Sequence, residues 1–88
     1  MIRKISPHLV RVFLCIMESD HWLTARQIAK GANVSDSVAR HKACDLFRLG
    51  ILERSYDLFP ENQYRLADGY EKHELTKKIL KALEIIEL

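Results

Sequence analysis

Apolar residues recur at helical spacing in four stretches of this chain, and two short alternating runs lie between the third and the fourth. In the first stretch Leu9, Val10, Phe13, Leu14, Ile16 and Met17 share one broad face, the width expected of a helix at the centre of a small domain. Ser6-Pro7 supplies its start, with serine as cap and proline at the first helical position, and the pattern fades near Ser19 or Asp20. Trp22 and Leu23 follow in extended form, with Trp22 placed to plug the core or a dimer seam. A second helix is predicted from Thr24 to Lys30. Thr24 and Gln27 have capping-box spacing, and Ala25, Ile28 and Ala29 give a small apolar face. Gly31 is placed to end this helix in a left-handed conformation. Ala32, Asn33 and Val34 then carry a tight turn, with Val34 pointing inward. Ser35 or Ser37 can cap the third helix, and Asp36 in its first turn suits the helix dipole. Val38, Ala39, Ala43, Leu46 and Leu49 form its inner face, and Gly50 ends it.

Beyond Gly50 the period changes from helical to alternating. Ile51 to Leu58 reads as a strand with Leu52, Tyr56 and Leu58 on one side and Glu53, Ser55 and Asp57 on the other. Phe59-Pro60-Glu61-Asn62 has turn chemistry. Gln63 to Leu66 returns, with Tyr64 and Leu66 inward and Arg65 outward. After Asp68-Gly69 a single amphipathic helix is predicted from Tyr70 to Leu88, with Leu75, Ile79, Ala82, Leu83 and Ile86 along one face.

Eighty-eight residues make one domain (1–88). A chain of this length buries roughly 60–65% of its unfolded surface, so association would add to its stability. The net charge of +2 says little, but its distribution is uneven. Residues 24–54 carry six basic and three acidic side chains, while 55–67 and 68–88 are each negative by one. A positive excess on the two central helices is the electrostatic footprint that phosphate would require. Arg3 and Lys4 lead into Ser6, Pro7 and His8 rather than an apolar run, and no stretch approaches the ~20 apolar residues of a membrane span. A cytoplasmic location with Cys15 and Cys44 reduced is therefore expected.

Residues 24–41, TARQIAKGANVSDSVARH, followed by LFRLGILER and QYRLA, resemble the winged helix-turn-helix of bacterial regulators of the MarR and ArsR kind. The resemblance covers Thr24 to Ala67. It implies an α+β, mainly α, fold: a support helix and short first strand (1–23), the helix-turn-helix (24–50), a β-hairpin wing (51–66) and a C-terminal helix (70–88) that pairs with its symmetry mate. It also implies double-stranded DNA as partner and a homodimeric transcriptional regulator, for which repression by occlusion is the simplest mechanism in a chain this short.

The residues left outside the apolar face of the third helix are the candidate readers. A helix fits the major groove and approaches base edges with its N-terminal half. Arg40 can bind guanine O6 and N7 with two parallel bonds; His41, Ser37 and Ser35 stand near it. Arg26, Lys30, Lys42 and Arg48 suit phosphates. The hairpin departs from the family pattern, because its tip (Asp57, Leu58, Phe59, Pro60, Glu61, Asn62) is acidic and apolar. Its cations, Arg54 and Arg65, sit at the base and complete the candidate DNA-binding set. Leu75, Ile79, Leu83 and Ile86 are the candidate dimer seam, and a twofold pair would set two reading helices about 34 Å apart, one DNA turn.

His8, His21, His41, His73, Cys15 and Cys44 show no metal-ligand spacing, so no metal or cofactor is expected. Cys15 reads as a core thiol, and Cys44 would sense oxidants only if exposed with a lowered pKa. No phosphate loop, nucleophile elbow or paired-carboxylate arrangement is legible, which leaves catalysis without residues to carry it. Two alternatives to the regulator remain: a winged-helix protein-interaction module in a larger assembly, and a replication or plasmid-partition protein that binds DNA.

Overall fold

The computed structural model describes residues 6–19, 21–55 and 62–87, with side chains as far as 81. The element order is α1 (Pro7–Met17), β1 (Leu23–Thr24), α2 (Ala25–Ala32), α3 (Asp36–Arg48), β2 (Leu52–Ser55), β3 (Gln63–Leu66), a 3-10 turn (Tyr70–Lys72) and α4 (Glu74–Glu87). This is a winged helix-turn-helix, mainly helical, with a small antiparallel sheet in the order β1-β3-β2.

Local chemistry explains most of the element ends. Pro7 opens α1, and Ser6 sits at the cap position without a side-chain cap bond. Thr24 and Gln27 close the expected capping box: the Gln27 N–H donates to Thr24 Oγ1 at 3.2 Å, and the Thr24 N–H donates to Gln27 Oε1 at 2.9 Å. Ser35, not Ser37, caps α3, accepting from the Val38 N–H at 3.1 Å. The two motif helices end alike. Asn33 adopts φ 57° after α2 and Gly50 adopts φ 83° after α3. In each case the next N–H, of Val34 or Ile51, reaches back five residues to the carbonyl of Ala29 or Leu46, both at 3.0 Å. This is the Schellman arrangement, which satisfies a carbonyl that the helix end would otherwise leave open.

Gly31 therefore has a different role from the one expected. It lies inside α2, one residue before its end, and Asn33 supplies the left-handed turn. A Cβ at Gly31 would lie 2.7 Å from Cys15 Sγ, so the missing side chain lets α1 and α2 approach closely.

The core is built where α1, α2 and α3 meet under the sheet. Val12, Phe13 and Ile16 come from α1, Ile28, Ala29 and Ala32 from α2, and Ala39, Ala43 and Leu46 from α3. Ile51, Leu52, Leu23 and Tyr64 close it from the sheet side, and Ile79 enters from α4. Val38 is half-buried, whereas Leu49, expected on the inner face, is 47% exposed. Leu49 follows the last turn of α3, where the chain is already leaving the helix axis.

Within the sheet, Leu23 stands opposite Tyr64, Leu52 opposite Leu66 and Glu53 opposite Arg65. The inward parity of Leu52, Tyr64 and Leu66 is as expected. The rest of the predicted first wing strand and the tip (56–61) lie outside the described residues.

The C-terminal segment is not one helix. Tyr70–Lys72 form a 3-10 turn, His73 is extended (φ −73°, ψ 138°), and α4 begins at Glu74. His73 Nδ1 accepts from the Leu75 N–H at 3.1 Å, so the imidazole caps α4. Tyr70 packs obliquely on Phe13 with ring centres 6.3 Å apart, which holds the turn against α1. Fourteen residues make α4 roughly 21 Å long at 1.5 Å per residue. Thr76 and Ile79 on it are fully buried in the protomer's own core. That burial removes Ile79 from the candidate dimer seam. Leu75 is half-buried against the same core, and the side chains of Leu83 and Ile86 lie outside the described residues.

Candidate nucleic-acid interface

The helix that would read DNA divides into two sides. Ala39, Ala43 and Leu46 are fully buried; their small or branched side chains seat α3 on α1 and α2. Ser37, Arg40, His41 and Arg48 are exposed, together with Asp36 and Asp45. Lys42 and Cys44 are half-buried at the boundary. Ser37, His41, Cys44 and Arg48 fall on one stripe at spacings of three and four, with Arg40 beside it. Ser35 begins the helix, and its hydroxyl is engaged in the cap. Lys30 is exposed in the last turn of α2, where its charge complements the helix dipole. Arg26 is exposed at the other end of α2 and has an interaction of its own. Among the described residues, no hydrogen bond or ion pair engages the side chains of Lys30, Arg40, His41, Lys42 or Arg48.

The hairpin cations are placed differently. Arg54 is half-buried on the inner side of β2, with its guanidinium carbon 4.1 Å from the centre of the Phe47 ring on α3. Arg65 lies on the outer side of β3, 4.4 Å over the Trp22 ring, and its Nε donates to Glu53 Oε2 at 2.8 Å. The structure thus brings Ser37, Arg40, His41 and Arg48 together on one surface and sets Arg54 and Arg65 into aromatic stacks within the protomer. Trp22 neither enters the core fully nor stands bare; it is half-buried under Arg65. These stacks were not foreseen from sequence, because each depends on which residues face one another across the sheet or between β2 and α3.

The remaining candidates for chemistry are accounted for locally. Among the described residues, no three His, Cys, Asp or Glu side chains gather as metal ligands would. His73 caps α4, and Ser19 Oγ lies 3.2 Å from His21 Nδ1. Burial, and then the neighbouring Glu18 carboxylate, push the Cys15 thiol above its ordinary value, so it stays protonated and weakly nucleophilic. Among the described residues, no helix is long and apolar enough to cross a membrane.

No family model matches the chain, and no curated protein matches it. Solved structures do share the fold. A candidate DNA-binding protein from Ralstonia eutropha superposes with a TM-score of 0.65 at 22% identity, over 86% of this chain and 98% of that one. MepR, a transcription regulator of the Staphylococcus aureus multidrug efflux pump MepA, gives 0.66 at 16% identity, over 93% of this chain and 59% of MepR. A MarR family protein from Bacillus stearothermophilus gives 0.60 at 16% identity, over 92% and 54%. The architecture is therefore the winged helix-turn-helix of MarR-type proteins, and this chain spans little more than half the length of MepR and of the Bacillus stearothermophilus protein.

Proposed function

We propose that this protein binds double-stranded DNA through α3 and regulates transcription as a homodimeric repressor. The observation that supports this most is the two-sided α3, sealed into the core by Ala39, Ala43 and Leu46 while Ser37, Arg40, His41 and Arg48 face outward. Arg40 reads a base edge, His41 and Ser37 flank it, and Lys30, Lys42 and Arg48 hold phosphates, with Arg26 at the margin. Affinity then comes mainly from phosphate contacts and falls with salt, while specificity comes from α3. The structural neighbours described as DNA-binding or as transcription regulators agree with this reading.

The test is fluorescence anisotropy on duplexes selected from a random pool. Arg40→Ala is expected to lose roughly 1–3 kcal/mol and to relax preference at one position, whereas Lys30→Ala weakens all sequences alike. If neither substitution changes binding, α3 is not the reading surface. Dimerisation runs through the later part of α4, where Leu83 and Ile86 continue the apolar spacing past Ile79. Light scattering should give a dimer at micromolar concentration and a monomer for Leu83→Glu; a parent chain that is already monomeric overturns the pairing.

A further inference from the structure

The outer face of the sheet carries a row of side chains that the proposed reading of DNA leaves unused. Leu23 is opposite Tyr64 in β3, so in the antiparallel register Trp22 comes level with Arg65, and Arg65 is in turn directly opposite Glu53 on β2. Trp22, immediately before β1, therefore lines up with Arg65 on β3 and Glu53 on β2. The Arg65 guanidinium meets both neighbours at once, with its face 4.4 Å from the Trp22 ring centre and its Nε 2.8 Å from Glu53 Oε2. We propose that Arg65 is a positioning residue of the hairpin and not a phosphate ligand. It ties the residue before β1 to β2 through an aromatic face on one side and a carboxylate on the other, and so holds the register of the sheet across β3.

Two physical points carry this. A planar guanidinium can stack on a ring and donate in its own plane to a carboxylate together; an ammonium cannot. A phosphate drawn to Arg65 would also meet the negative charge of Glu53, which already accepts from Nε. Each half of the row is individually modest, since the pair is open to water with the Arg65 side chain 53% exposed. The effect is one of geometry, shared among β2, β3 and the residue that leads into β1.

The binding arm of the test rests on the proposed reading of DNA, and the spectroscopic arm does not. Trp22 is the single tryptophan of the chain, so its emission reports the stack directly. Arg65→Gln and Arg65→Lys are compared with the parent in tryptophan emission and in the salt dependence of duplex binding. Both variants are expected to change the emission, while duplex binding stays within about twofold of the parent because no phosphate contact is lost. The salt slope should stay that of the parent, and lysine, though charged, should fail to restore the emission. If Arg65 instead holds a phosphate, Arg65→Gln lowers the slope by about 0.9 and Arg65→Lys restores it. That result, or an unchanged emission in both variants, overturns the proposal. A parent chain with no salt-dependent duplex binding overturns the proposed function instead, and the emission alone then decides the role of Arg65.

Discussion

Arg40 on α3 and Arg65 on β3 are both exposed, yet only Arg65 has partners among the described residues. The helix-turn-helix turns its cations outward around a seat of buried alanines. The hairpin turns its own cations onto Phe47 and Trp22. Two regions with similar basic residues thus do different physical work. Among the described residues, the side chains of Arg40, His41 and Arg48 on α3 make no hydrogen bond or ion pair, whereas the hairpin cations meet their partners inside the protomer. A basic residue in a recognition fold is not by that fact a nucleic-acid contact; what already occupies it decides.

The sharpest way to break this comparison is to exchange the two sides of α3. Leu46→Ala removes a fully buried side chain and should cost about 2–5 kcal/mol in chemical denaturation. Arg40→Ala should leave the denaturation midpoint within about 0.5 kcal/mol of the parent. Equal losses would mean that α3 has no free side.

The seat of the motif is probed by Gly31→Ala, which drives a Cβ to within 2.7 Å of Cys15 Sγ. Overpacking here should cost about 1 kcal/mol or more, despite the better helix propensity of alanine. In a Cys15→Ala background the same change should become stabilising by up to about 1 kcal/mol. A double-mutant cycle on thermal unfolding reads the sign, and an unchanged sign would show that the α1–α2 approach is not what demands glycine.

A smaller effect is expected at the C-terminal segment. His73→Ala removes the acceptor for the Leu75 N–H and should cost roughly 0.5–2 kcal/mol, most of it at the start of α4. His73→Asn should recover part of the loss. Hydrogen exchange at Leu75 and Thr76 locates the effect; uniform loss across the domain would contradict a local cap. The exposed Lys77–Glu74 pair, at 3.8 Å, marks the small end of the scale, and Lys77→Ala should change stability by no more than a few tenths of a kcal/mol.

The parts of the fold legible in the sequence are those written in local chemistry. The Thr24–Gln27 box, a serine cap on α3 (Ser35 or Ser37), the helix end at Gly50 and most of the inner face of α3 each follow from residues within one or two turns of one another. What was not legible depends on partners far along the chain. Gly31 resembles a helix stop until Cys15 is placed against it. The polar run Glu71-Lys72-His73-Glu74 interrupts the apolar spacing between Tyr70 and Leu75, but what holds Tyr70 outside the helix is its packing on Phe13, far back in the chain. Leu49 keeps the period of α3 but falls where the helix has ended. Arg54 and Arg65 read as available cations until the register of three strands shows what lies opposite. The same reasoning removes Ile79 from an association surface, because its partners are residues of its own protomer.

The central claim is that the outward side of α3 is the surface that meets DNA. Backbone amide shifts of the isotope-labelled chain, followed as a selected duplex is added, test it most directly. The account predicts the largest changes from Ser35 to Lys42, smaller ones around Lys30 and Arg48, and little along α1. Changes concentrated on α1 or α4, with Ser35 to Lys42 unmoved at saturation, would contradict it.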